Sequence, residues 1–513
     1  MLDKLGMLAD PRPEWRPGAR STAIEFGLLG AFFVITRLAL YAAGLRFEPE
    51  LRWMFLADPV ALRDRLLPSV LYFHAYPPGM NLLTGFLLKL DEAHFAVLAQ
   101  VVLSLGSFVL IASSCYLGRS CGLSRRSALA LGAVFSLLPQ TLYLENLYLY
   151  AVPGAALLCL SGALFYRAVR GSSVARWAWF FSVCATLCWV HTMFHLPWFL
   201  AMAALALFST KRSNRVHVLV GVAGPAILLL SLYVKNWLLF GFFGRSSWSG
   251  ANAVALTTVQ LPPDEREALV REGKLSPFAN ISVFAGPEAY VPYFADRDRP
   301  PSTHYPGADD FQRPTVNAGN FNHWFFLDIN RERRKDTRYY VTTHFSQYLD
   351  TVFRQSLPRM FESTTHWHAA DNSENGPHFR HRQVLGGYEK VYDGIVHAFP
   401  VPDVGLYALL PLFLVWTAAH AWRSMRSGDG DGSSWGTAML LVFSMAQIVY
   451  VTAVTAFFIY GESARHRYMV EAFIWLIVAS SFSRGTRRIA SSVSSRRAEA
   501  TPTRADPKAA SSA

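Results

Sequence analysis

Charge is scarce in this chain. Only 16% of its 513 residues are Asp, Glu, Lys or Arg, against about 25% in soluble globular domains. Cysteine is scarce as well: the five residues Cys115, Cys121, Cys159, Cys184 and Cys188 all fall in or beside apolar runs. The long polar stretch between 236 and 400 has none, so on an outer surface it would be held without disulfides. No P-loop, Rossmann glycine pattern, Cys-x-x-Cys pair or Gly-x-Ser-x-Gly elbow stands in a supporting context. ATP-driven transport, dinucleotide redox chemistry and α/β-hydrolase chemistry therefore have no sequence support. A repeat of fixed period is lacking too. The first apolar run, 23–45, is too long for a signal-peptide core and has no small-residue cleavage site after it, so it reads as a retained first span.

What the chain has in quantity is apolar surface. Hydrophobic residues make up 52%, with 14 Trp, 21 Tyr and 37 Phe, which excludes a disordered chain. Several runs reach the roughly 20 residues needed to cross a bilayer. The expected fold is an all-α polytopic membrane protein of about ten transmembrane helices in a 7+3 arrangement. The spans are expected at 23–45, 95–117, 127–144, 148–166, 176–192, 195–209, 216–235, 404–422, 436–458 and 467–483. Clusters such as Arg125–Arg126, Arg167/Arg170/Arg176, Lys211/Arg212/Arg215 and Arg484/Arg487/Arg488 fall in loops on one side. By the excess of basic residues in cytoplasmic loops, both termini are placed in the cytoplasm of a bacterial inner membrane. The domains follow: a cytoplasmic segment 1–22, a seven-span module 23–235 with an outer loop 46–94, an extracytoplasmic insert 236–400 of mixed or irregular structure, a three-span module 401–483 and a basic tail 484–513. The tail is expected to lack structure beyond Ser491, and a helix is expected over about 336–357 in the insert.

The net charge of +12 does not point to nucleic acid. Residues 236–400 carry 17 bases and 18 acids, and the rest carries 31 bases and 18 acids, a surplus of +13 lying in short loops. Membrane lipids are the expected partner of that surplus, and nucleic acid is not.

Chemistry is concentrated first in Trp53–Gly85, which holds Asp58, Asp64, His74 and the Pro77-Pro78 pair. A carboxylate near the membrane is costly unless paired or used. Asp58 before Pro59 also has the form of a helix N-cap with Pro at the first helical position, and both roles stay open. Pro77-Pro78 fixes the backbone ahead of an apolar helix and would set His74 on the rim. The second concentration is Tyr460–Phe473, YGESARHRYMVEAF, with Arg465, His466, Arg467 and Tyr468 opening a late span.

A first span, an outer loop with acidic residues, then His-x-x-Pro-Pro before an apolar helix resembles the GT-C membrane glycosyltransferases, which include the protein O-mannosyltransferases and the lipid A aminoarabinose transferases. The Arg-Tyr pair opening a late span with Glu is similar to a motif in many of them. The resemblance covers the seven-span half and the last hairpin. It implies transfer of a sugar from a polyprenyl-phosphate donor to a lipid or glycan acceptor on the outer face. Asp58 would then be the base, with Glu48 and Glu50 behind it and His74 beside it. Arg465, His466, Arg467 and Tyr468, with Pro77 and Pro78, would shape the substrate site. A divalent cation is the one cofactor this reaction admits, and no metal-ligand set is read from the sequence. The chain departs from the family in its acids, a Glu48-Pro-Glu50 pair early and Asp58 ten residues later than Glu48. A transporter or flippase for a lipid-linked or polar solute, or a non-catalytic envelope protein, are the rival readings.

Three further features are noted. Arg37, inside the first span, needs a carboxylate and reads as half of a structural ion pair. His191 and His195 stand four apart at a hairpin tip without a third metal ligand nearby. Eight of the 15 histidines lie in the insert, and 317–324 (NAGNFNHW) suits either sugar contacts or a core-facing turn.

Overall fold

The computed structural model describes residues 19–500, apart from 48, 296–298, 300–304, 306, 364–376, 398–403, 427–431 and 460–462. The chain folds as helices. Among the described residues the one strand pair is β1 (Gln312–Arg313) with β2 (Ala318–Gly319), antiparallel.

The N-terminal part comprises α1 (Ala19–Ala42), α2 (Pro59–Asp64), α3 (Leu66–Leu71), α4 (Gly79–Leu90), α5 (Phe95–Ser120), α6 (Arg125–Leu137), α7 (Pro139–Glu145), α8 (Ala151–Arg170), α9 (Val174–Val190), α10 (Leu196–Ser209) and α11 (Arg215–Phe240). The insert adds α12 (Ser249–Ala255), α13 (Pro263–Arg271), α14 (Phe325–Thr343), α15 (Phe345–Asp350), α16 (Leu357–Phe361) and α17 (Pro377–Val396). Three long helices close the chain: α18 (Leu410–Arg426), α19 (Gly432–Phe458) and α20 (Ser463–Ala500).

Among the described residues six helices are long and apolar enough to cross a membrane: Ala23–Ala42, Phe95–Ser120, Ala151–Arg170, Arg212–Phe240, Gly405–Arg426 and Ser434–Phe458. Their outward faces carry Ile35, Leu38, Ile227, Leu238, Leu412 and Val415, apolar side chains that only a lipid surround would solvate without cost. The bent pair α6–α7 makes a seventh if taken together. Pro139 lacks the N–H that would continue α6, and the axis turns by 56° there. The count differs from the ten expected because α9 and α10, at 17 and 14 residues, reach only about 25 and 21 Å at 1.5 Å per residue. The polar residues at both ends of α20, SARHR at its start and the Ser- and Arg-rich stretch after Phe482, also lower its average hydropathy.

Close approach fixes the bundle. On α11, a Cβ at Gly221 would lie 2.7 Å from the Trp177 Cβ and 2.9 Å from the Ala178 nitrogen, so glycine lets α11 lie directly on α9. Arg37 finds its carboxylate: Nη2 lies 2.6 Å from Glu145 Oε2, with Ser136 Oγ at 2.7 Å from Nη1. The half-exposed side of α1 is thereby tied to the break between α6 and α7.

The insert shares the bundle's core in part and adds a second cluster of its own, Leu256, Leu261, Leu275, Ala279, Tyr340, Tyr348 and Val352 against Ala456 of α19. Trp248, Tyr290 and Phe326 belong to the same continuous apolar cluster as Phe180 and Phe443 of the bundle. The helix expected at 336–357 is longer and in pieces: α14, α15, a wide turn over Thr351–Ser356 and α16. The tail expected to lack structure from Ser491 is helical to Ala500, as its Ala and Arg content allows.

Candidate functional site

Segments 53–58 and 72–76 meet the insert at one end of the bundle and form a wall with a cavity on each side. Trp53, Met54, Phe55 and Tyr76 line one cavity, while Ala57, Asp58, Tyr72 and Phe73 line the other. Two buried arginines of the insert hold this end together. Arg245 donates to the carbonyls of Cys188 (2.9 Å), His191 (2.7 Å), Thr192 and Phe194, and to His195 Nδ1 (2.9 Å). Cys188 and His191 lie at the C-terminal end of α9, where carbonyls lack helical partners and a cation is favoured, and Thr192 and Phe194 lie in the turn to α10. Arg313 does the same for the loop before α2, donating to the carbonyls of Leu51, Arg52, Trp53 and Leu56.

The first cavity, about 120 Å³, is aromatic and cationic. Trp53 stacks on Phe55 (6.2 Å, 11°), Tyr76 on Trp248 (5.8 Å, 28°), and Phe55 meets Tyr150 edge-on at 5.1 Å. Arg465 and His466, in the first turn of α20, supply its charge. Arg465 Nη2 donates to Tyr150 Oη at 2.8 Å. His191 stands behind the wall, 4.5 Å from the Tyr150 ring and 5.7 Å from His466. Its Nδ1 accepts from the Met193 N–H at 3.0 Å, so the neutral ring carries its proton on Nε2. That buried donor has no hydrogen-bond partner. No carboxylate lines this cavity among the described residues.

The second cavity is a polar cleft of about 320 Å³ between α2–α3 and the insert. Tyr72 and Tyr305 stack in its wall at 5.1 Å and 5°. Asn322 closes the join, with Oδ1 accepting from His74 N (2.7 Å) and Ala75 N (3.2 Å) and Nδ2 donating to Tyr72 O (3.0 Å).

The residues singled out in the sequence are divided between these places. Arg465 and His466 face the aromatic cavity. Asp58 faces the cleft, capping α2 through Val60 N (3.0 Å) and Ala61 N (3.4 Å) and accepting from Thr315 N (3.0 Å) and Oγ1 (2.8 Å). Both its oxygens are engaged. Glu50 accepts from Arg52 N at 2.8 Å, and Glu48 lies outside the described residues, as do Glu462, His304, His366, His368 and Asp371.

His74 is not on a rim. It is fully buried within the wall, Nδ1 2.9 Å from Ser247 Oγ and its ring against Phe240. Burial, aided by the Lys235 ammonium, lowers its pKa to about 3. Pro77 and Pro78 are buried and start α4, where a Cβ at Gly79 would meet the Trp189 carbonyl at 2.6 Å.

Arg467 does not join Arg465. Residues two apart on a helix project about 200° apart, and Arg467 turns into the protein: Nε lies 3.0 Å from Glu471 Oε2, and Nη1 donates to Met360 O (2.9 Å) and Glu362 O (2.6 Å). Glu471 also accepts from Trp475 Nε1 (2.8 Å) and Tyr407. Tyr468 is buried and stacks on Phe135. Asp58, His74 and Arg467 thus do not converge on one cavity, and the expected pairing of Arg465 with Arg467 is corrected: Arg465 shares its cavity with His466 instead.

Several residues were not singled out from sequence: Arg313, Tyr150, Trp248 and, as a carbonyl-gathering group, Arg245. The one signal for Arg245 is its position as a lone cation in an aromatic, glycine-rich run, GFFGRSSW. The 317–324 segment serves as a core-facing turn through Asn322 and also lines the cleft through Asn320 and Asn322. Among the described residues, no group of three or more His, Cys, Asp or Glu side chains gathers as a metal site would require. No family model, curated protein or solved structure matches this chain.

Proposed function

We propose that this protein is an integral-membrane glycosyltransferase that takes a sugar from a polyprenyl-phosphate donor and passes it to a cell-envelope lipid or glycan. The observation that carries this reading is the aromatic cavity at the start of α20, where Arg465 and His466 are the only acidic or basic side chains among the described lining residues. Guanidinium groups bind phosphate oxygens in bidentate geometry, and aromatic faces suit sugar rings. The volume takes a phosphate-sized group, and a sugar ring would require the exposed Phe284 at its side to turn away.

In this reading the acceptor hydroxyl gives its proton to a carboxylate, its oxygen bonds to the anomeric carbon, and the carbon–oxygen bond to phosphate breaks. The electron pair leaves with the phosphate, and Arg465 and His466 stabilise that growing charge. Glu48 and Glu50 stand ahead of Asp58 as the base, because Asp58 is spent on a cap and on Thr315. The topological frame is ten spans in a bacterial inner membrane, α9, α10 and the apolar part of α20 completing the count. Both termini are then cytoplasmic, and the cavity opens on the outer side.

The test is transfer from a fluorescent polyprenyl-phosphate sugar by membranes carrying the protein. R465Q and H466Q, inserted at normal levels, should lose most transfer, and full transfer by both would remove the reading. A transporter or flippase is the second reading, favoured by the broken α6–α7 pair with buried Glu145 at its end. It would show labelled lipid crossing a vesicle bilayer without any sugar transfer.

A further inference from the structure

The helix α17, at the end of the insert, is held to the bundle along one side. Leu385 packs with Leu45, Leu142 and Tyr143. His381 donates from Nε2 to Arg46 O at 2.9 Å, and the Tyr388 hydroxyl donates to Leu137 O at 2.7 Å. Tyr143 Oη donates to Glu389 Oε2 at 3.2 Å, and Gln140 Nε2 to Tyr392 Oη at 3.4 Å. At the far end the His397 ring meets Tyr407 at 5.6 Å, and Gly405 has no room for a Cβ against the Val396 carbonyl.

These contacts carry α17 from the end of one spanning helix, α1, past the α6–α7 break to the start of another, Gly405–Arg426. Both span ends lie on the insert's side of the bundle. Arg313 of the insert gathers the carbonyls of the loop that follows α1, and Tyr407 lies 5.8 Å from Phe361 of α16. A helix of 20 residues is about 30 Å long. Resting on two span ends of the same side, it runs along the membrane boundary and does not cross it.

The circumference of α17 divides into three sectors. His381, Leu385, Glu389, Tyr392 and Val396 face the bundle. Tyr388, Val391 and Ile395 are 43%, 62% and 65% exposed and fall within about 60° of one another on the helix. Gln383 and Lys390, also exposed, stand about 110–130° round from the centre of that apolar stripe. An apolar sector beside a polar one is the pattern of a helix lying in a bilayer interface. The spans at its two ends carry exposed Leu38, Tyr41, Leu406 and Leu412, so the stripe extends a surface that already faces lipid. We propose that α17 lies in the membrane leaflet on the insert's side. Val391 and Ile395 sit among acyl chains, Tyr388 at the headgroup boundary where tyrosine is favoured, and the Lys390 ammonium reaches the lipid phosphates. This inference rests on the spanning helices and not on the glycosyltransfer reading.

Spin labels on V391C, I395C and K390C test it, in the full chain reconstituted into vesicles of phosphatidylcholine and phosphatidylglycerol. All three positions are exposed, so the labels leave the packing of α17 intact. The five native cysteines are buried, and the unsubstituted protein serves as the labelling blank. Collision with oxygen, which concentrates in lipid, is compared with collision with a water-soluble nickel chelate. Labels at 391 and 395 should favour oxygen and read a depth of about 5–10 Å below the phosphates, while the label at 390 should favour the chelate. Labels at 391 and 395 as open to the chelate as the one at 390 would place the stripe in water and overturn the proposal. Labels shielded from both reagents would put a protein surface, a second copy or another chain, where the lipid is proposed, and would overturn it equally.

Discussion

The two cavities share a wall but not a chemistry. Trp53, Phe55 and Tyr76 turn toward an aromatic chamber whose charge comes from α20, while Asp58 and Tyr72, a few residues away, turn toward a polar cleft whose charged groups come both from α2 and its ends (Asp58, Asp64, Arg65) and from the insert (Asp310, Arg313). The same contrast recurs inside α20. Arg465 faces a cavity and Arg467, one residue past His466, is locked to Glu471. Side chains two apart in sequence thus face opposite ways, one toward a cavity and one into the fold, and helical geometry alone sorts them.

The sharpest way to break that contrast is at Glu471. E471A would leave Arg467 buried without a carboxylate and deprive Tyr407 and Trp475 of an acceptor. Breaking a buried pair in this way costs about 3–5 kcal/mol, so the thermal midpoint of the purified protein should fall sharply. R465Q should move it far less. Equal losses would mean that Arg465 is structural too.

Arg245 comes next. R245M removes donors from four carbonyls between the end of α9 and the start of α10, and hydrogen bonds from a charged group contribute about 1.5–3 kcal/mol each. A drop of at least about 3 kcal/mol in denaturant unfolding is expected, with amide exchange rising first over 188–195. D58A should be milder, about 1–2 kcal/mol for a lost cap with its link to Thr315. D58N, which can still accept, should recover most of that, and neither variant should abolish sugar transfer if Asp58 is not the base.

The smallest effect near neutral pH belongs to His74. Its pKa is about 3 when folded and about 6.5 when unfolded, so the unfolded chain binds the extra proton. The stability this contributes is complete above about pH 6.5 and is lost as the pH falls toward 3, at up to about 1.4 kcal/mol per unit. H74N should flatten that part of the stability curve, which would otherwise slope downward below pH 6.5.

Much of this was legible in the sequence. The helical membrane class follows from composition, the Asp58-Pro59 cap from local turn chemistry, and the need of Arg37 for a carboxylate from its depth in an apolar run. The pairing of Arg37 with Glu145 is a long-range contact that no local pattern encodes. The number of spans was less legible, because hydropathy measures apolar content and α9 and α10 are apolar yet short. The site was legible in part. Arg465 and His466 stood out by position, but Arg467 was grouped with them because a linear motif hides which way a helix turns each residue. Arg245 and Arg313 were missed as binding groups because their partners are backbone carbonyls, which have no sequence signature.

The most direct measurement is the affinity of the detergent-solubilised protein for a polyprenyl monophosphate, compared with R465Q. The wild type should bind it, R465Q should bind at least about tenfold more weakly, as loss of a charged phosphate contact requires, and R65Q should match the wild type. Equal binding by wild type and R465Q would contradict the assignment of the aromatic cavity to a lipid-linked phosphate, and with it the proposed function.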